Sequence, residues 1–135
     1  MTAPSRPVLA HVRDLLFSSR IGETARRLGH PFRAVRTLEE LEKGLAAGPG
    51  LILVDLTASG LDLVAAFDAV DAAGRPAPVV GWTTHALAAT TRPLHPRCDR
   101  VVTREALTAE LPELLTRYLA PPSVTTVDRD RGTVR

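Results

Sequence analysis

The chain has 135 residues, 44% apolar and 4% aromatic, with a formal net charge of +2. That length fits one domain with a core of its own and a short extension. A single cysteine, Cys98, excludes an intrachain disulfide and a thiolate zinc cluster, and no apolar run is long enough to span a bilayer.

Elements can be placed in chain order. Residues Met1 to Pro7 carry no apolar signal core, which, with the lone cysteine, points to a cytoplasmic protein. Val8 to Val12 is a short apolar run that predicts a buried first strand. From Leu15 to Leu28 the apolar residues Phe17, Ile21, Ala25 and Leu28 recur at helical steps, and Gly29 supplies a stop. Phe32 to Arg36 reads as a half-exposed second strand. Thr37-Leu38-Glu39-Glu40 is a capping box, so a second helix is expected from there to about Ala47.

Leu51 to Val54 is continuously apolar, as a central parallel strand covered on both faces requires, and Asp55 stands at its end. Ser59 is the expected cap of a third helix with Asp62 in its first turn, Leu63, Phe67 and Val70 as its buried stripe, and Gly74 as its stop. Val79 to Trp82 is a fourth strand. Pro93 and Pro96 confine the next helix to about Ala86–Thr91, and Thr90 to Pro96 is expected to be irregular, leaving Trp82 and Leu94 less covered. Arg100 to Val102 is a fifth strand. Leu107, Leu111, Leu114, Leu115 and Tyr118 line a last helix. Pro112 is expected near its true start, with Thr108 as cap. Pro121-Pro122 ends the domain, taken as residues 1–120, and 121–135 reads as a disordered polar tail.

Strands alternating with helices predict an α/β fold: a five-stranded parallel sheet in flavodoxin-like order 2-1-3-4-5 with helices on both faces. Function in such sheets collects at the carboxyl ends of the strands. Those ends are His11 to Asp14, Asp55 to Ser59, Thr83 to His85, and Thr103-Arg104.

With Leu51-Ile52-Leu53-Val54-Asp55, Val79-Val80-Gly81-Trp82-Thr83 and this element spacing, residues 7 to 119 resemble the receiver domain of two-component response regulators, in a degenerate or pseudo-receiver form. The resemblance implies that Asp55 stands at the phosphoacceptor place and Thr83 at the switch place. It implies an acid pair for magnesium after the first strand, but counting back from Gly29 that place holds Val12 and Arg13, with Asp14 just beyond. Where a receiver has its conserved lysine stands Thr103, followed by Arg104 where proline is frequent. Phosphoryl transfer depends on neutralising the phosphoryl oxygens, and magnesium needs several fixed oxygen donors. The resemblance therefore implies a signalling or protein-interaction module that is not phosphorylated in the usual way, has no cofactor and is no enzyme. Its partner would be another protein or a second copy.

Two alternatives stay open: a divergent receiver phosphorylated on Asp55, and a small enzyme or ligand binder at the strand ends. For the second, His85 and His11 are expected near Asp55, a set that suits acid–base or transition-metal chemistry. Arg13 to Ile21 lacks glycine, which excludes a dinucleotide or Walker loop, and Thr57-Ala58-Ser59-Gly60 lacks the nucleophile-elbow pattern.

Charge is uneven along the chain. Arginine supplies 16 of the 17 basic residues; seven of them lie in residues 1–36 against Asp14 and Glu23, whereas 37–75 is acidic. Opposed potentials favour self-association or an oriented partner. No helix-turn-helix pattern and few stacking aromatics are present, so nucleic acid is not the expected partner.

Overall fold

The computed structural model describes residues 6–119. The elements are β1 (Val8–His11), α1 (Leu15–Arg27), β2 (Phe32–Ala34), α2 (Leu38–Ala46), β3 (Leu51–Asp55), α3 (Leu63–Ala72), β4 (Val79–Thr83), α4 (Ala88–Thr91), a 3-10 segment (Arg92–Arg97), β5 (Arg100–Thr103) and α5 (Arg104–Leu119). All strand pairs are parallel, in the order β2-β1-β3-β4-β5. The α/β fold and strand order are those expected from the sequence. The proposed tail from 121 lies outside the described residues.

Successive strand residues point to opposite faces, and the sequence uses both. Val8, Ala10, Leu51, Leu53, Val80 and Trp82 pack on α1 and α5 through Phe17, Ile21, Leu107, Leu111 and Leu115. Leu9, Ile52, Val54 and Val79 pack on the other face against Leu41, Leu45, Leu63, Phe67 and Val70 of α2 and α3. This is why β3 is apolar at four successive positions and buried at all five.

Four local expectations are corrected. The third helix is capped by Asp62, whose carboxylate accepts from the Ala65 amide at 3.1 Å, rather than by Ser59. In the capping box Glu40 reaches past Thr37 to the Arg36 amide at 2.7 Å, while Thr37 accepts from the Glu40 amide as expected. The segment after α4 is a 3-10 helix, not irregular chain; Trp82 is 1% exposed, and Leu94 packs on the second core, so no patch opens there. The last helix begins at Arg104, and Pro112 lies inside it on an exposed position. Proline there removes one helical hydrogen bond, but the burial of Leu107, Leu111, Leu114 and Leu115 on one face, roughly 1.5–3 kcal/mol each, outweighs that loss.

Candidate functional site

The carboxyl ends of β1, β3, β4 and β5 bring Asp55, Thr83, Thr103, Asp14 and Arg104 to one edge of the sheet. In the parallel register Asp55 stands beside Trp82, and Thr83 beside Thr103.

Asp55 is 3% exposed. Its Oδ1 accepts from the Thr57 amide at 2.9 Å and from the Thr57 hydroxyl at 2.6 Å; its Oδ2 accepts from the Arg13 amide at 3.4 Å. A carboxylate bonded to its own chain two residues on is a local turn device. Thr57 was not singled out from sequence, although the Asp-x-Thr spacing carries the signal.

Asp14 caps α1, with Oδ1 accepting from the Leu16 and Phe17 amides at 2.9 and 3.3 Å. Its Oδ2 accepts from Arg104 Nη2 at 2.9 Å. The hydrogen bond from Arg104 is the largest cause holding the Asp14 carboxyl below the usual carboxylate range, followed by the Phe17 amide. The guanidinium carbon of Arg104 also lies 4.3 Å from the centroid of the Phe17 ring, a cation–π contact. That ring meets Trp82 edge-on with centroids 5.6 Å apart. Arg104 thereby ties the start of α5 to the start of α1.

Thr103 accepts from the Ala106 amide at 3.1 Å, so its hydroxyl caps α5. Thr83 is buried and its hydroxyl lies 3.0 Å from that of Thr91 on α4, which in turn lies 2.9 Å from His95 Nε2. One consistent proton order runs from His95 Nε2–H to Thr91, from Thr91 to Thr83, and from Thr83 to the Thr84 carbonyl at 3.5 Å. Thr91 and His95 were not expected at the site; nothing in the spacing of a four-residue helix marks them.

The two histidines expected beside Asp55 do not join it. His85 is exposed and makes no hydrogen bond among the described residues. His11 is buried and its Nδ1 donates to the Val35 carbonyl at 2.9 Å toward β2, leaving Nε2 buried without a partner. The cavity beside it, lined by Val35, Leu41, Leu63 and Phe67 among others, measures about 20 Å³, room for roughly one water. Among the described residues no group of three His, Cys, Asp or Glu converges on a point.

Against solved structures, the chain is similar to the receiver domain of the sensor histidine kinase PA1611 from Pseudomonas aeruginosa, solved with magnesium in its active-site cleft. The TM-score is 0.69 at 21% identity over 85% of this chain and 98% of that one. The receiver domain of NtrX from Brucella abortus superposes with a TM-score of 0.67 at 17% identity over 84% and 97%. The beryllofluoride-activated receiver domain of nitrogen regulatory protein C gives 0.66 at 16% identity over 89% and 97%. The fold is that of a receiver domain. No protein-family profile matches the chain, and no curated protein matches it by sequence.

The PA1611 domain was solved with magnesium coordinated in its active-site cleft. The donor set here does not fit that ion. Asp14 is engaged by Arg104, Asp55 is engaged by Thr57 and Arg13, and no third carboxylate joins them among the described residues. A hard divalent cation would have to displace a guanidinium to gain a second carboxylate.

Proposed function

We propose that this chain is a receiver-fold signalling module, a pseudo-receiver, that works by recognising another protein or a second copy, without phosphoryl transfer at Asp55 and without catalysis. The observation that carries this reading is the closed state of the crevice. Asp14 accepts from Arg104, and the carboxylate of Asp55 is bonded on both oxygens. Phosphoryl transfer needs an accessible carboxylate oxygen and a cation to neutralise the incoming group, whereas Asp55 is 3% exposed and the neighbouring cation, Arg104, is held by Asp14. A reducing cytoplasmic setting suits the lone Cys98.

Trp82 tests the reading without a partner. It is the one tryptophan, it is buried, and it stands beside Asp55 in the sheet. Its emission is to be titrated with magnesium, then with beryllofluoride in the presence of magnesium. The expected result is no saturable change. A saturable change that disappears in Asp55→Ala would favour the rival reading, a divergent receiver that accepts a phosphoryl group on Asp55.

A further inference from the structure

His11 ends β1 and is 7% exposed. It follows Leu9 by two residues, so it lies on the sheet face that packs on α2 and α3. The Val35 carbonyl can only accept, so Nδ1 carries the hydrogen of that 2.9 Å contact, and in the neutral ring Nε2 is a bare acceptor. Nε2 is buried and meets no donor among the described residues. The two ring nitrogens point in nearly opposite directions. With Nδ1 turned toward the chain leaving β2, Nε2 faces β3 and α3. The cavity of about 20 Å³ lies on that side, with Ile52, Val54, Leu63 and Phe67 in its wall.

This wall selects a chemistry. Every lining residue except His11 is apolar. A buried acceptor left without a donor is costly, so the fitting occupant brings a hydrogen-bond donor. An ammonium or a carboxylic acid ionised at neutral pH would bring an uncompensated charge among apolar side chains. A metal ion would find no ligand set, since no group of three His, Cys, Asp or Glu converges among the described residues. A water needs about two to four polar partners, and the lining offers one. A neutral hydroxyl on a short apolar body matches both the single acceptor and the apolar wall. Leu61, in the loop between β3 and α3, is the one lining residue that is only half-buried, and it marks the way in. The same loop carries Thr57, the partner of Asp55.

We propose that the cavity under α2 and α3 is a binding site for a short neutral alcohol, whose hydroxyl donates to His11 Nε2 while its carbon end packs among Val54, Leu63 and Phe67. The site does not depend on phosphorylation of Asp55 and goes beyond the interaction-module reading. So few ligand atoms set a ceiling on affinity, with a dissociation constant no tighter than about millimolar.

The test is NMR of the whole, ¹⁵N-labelled chain titrated with ethanol and, separately, with acetonitrile, a molecule of equal heavy-atom count that has no hydroxyl to donate. Long-range ¹H–¹⁵N spectra follow His11 Nε2, and amide spectra follow Leu61 and Leu63. Ethanol is expected to shift the Nε2 signal and these amides saturably, and to bind about fivefold or more tightly than acetonitrile. His11→Phe, which keeps a ring without nitrogens, should abolish that preference. Leu61→Ala, which trims the half-buried wall, should move the preference toward a longer alcohol such as 1-butanol. Should His11→Phe fail to fold for want of a partner for the Val35 carbonyl, the wild-type Nε2 signal decides alone, moving with ethanol and staying with acetonitrile. No saturable shift with ethanol, equal binding of the two probes, or an ethanol preference that survives in His11→Phe would overturn the proposal.

Discussion

Arg104 donates to Asp14 at 2.9 Å across ninety residues of sequence and lays the same guanidinium on Phe17. The contact joins the chain leaving β5 to the chain leaving β1, at the carboxyl edge of the sheet. Both side chains are about two-fifths exposed, so salt and solvent weaken the pair. Its effect is better read from acid titration than from a single melting temperature.

The Asp14 carboxyl is held low by Arg104 first and by the Phe17 and Leu16 amides. A carboxyl whose folded value lies below its unfolded one stabilises the fold fully above the unfolded value, near 4. That stabilisation is lost as pH falls through the folded value. Asp14→Asn should therefore lose part of the fall in denaturation midpoint expected of the wild type below about pH 4. Asp71, held low by Arg75 and Arg97, keeps the remaining slope. An unchanged acid profile in Asp14→Asn would show that the pair does not couple to folding.

The Thr83–Thr91 hydroxyl pair predicts non-additivity. Removing the Thr91 hydroxyl leaves buried Thr83 with only the 3.5 Å contact to the Thr84 carbonyl, at a cost of roughly 1–3 kcal/mol, whereas Thr91 without Thr83 keeps His95 and the Ala88 carbonyl, and replacing both can be nearly neutral. Thr83→Val and Thr91→Val should each lower stability. The double variant should lose clearly less than the sum, measured by urea denaturation as a double-mutant cycle. Additive losses would mean that the 3.0 Å contact carries no energy.

Cys98 offers a prediction on the alkaline side. Burial first, and the Asp99 carboxylate second, push its thiol up to about 11. A thiol raised in the fold stabilises it fully below its unfolded value, near 9, and that contribution fades as pH rises toward 11. Native protein at pH 8 should react with Ellman's reagent far more slowly than urea-unfolded protein, because little thiolate forms. Reaction at the unfolded rate would contradict the burial of Cys98 against Gly81 and Leu94.

Local pattern made much of the fold legible. The unbroken Leu51–Val54 run marked a strand covered on both faces, and Gly29 and Gly74, at φ of +88° and +81°, closed α1 and α3 where an L-residue would be strained. The start of α5 was not legible, because proline argues locally against a helix interior and only the four leucines buried across the sheet reverse that balance. At the site, the strand ends named Asp55, Asp14, Thr83, Thr103 and Arg104, since topology alone brings them together. Their partners were hidden for a physical reason. The Asp14–Arg104 contact depends on where two helices begin, and Thr91 meets Thr83 only through the turn of a short α4. His11 misled because side-chain direction in a strand decides the outcome, and it turned into the core toward Val35; His85 lies in the turn after β4 and is exposed.

The central claim, that this receiver fold does not take a phosphoryl group on Asp55, is tested most directly by intact mass spectrometry after incubation with acetyl phosphate and magnesium. The account predicts that the protein keeps its unmodified mass. A stoichiometric phosphoryl adduct, formed by the wild type and absent from Asp55→Ala, would contradict it.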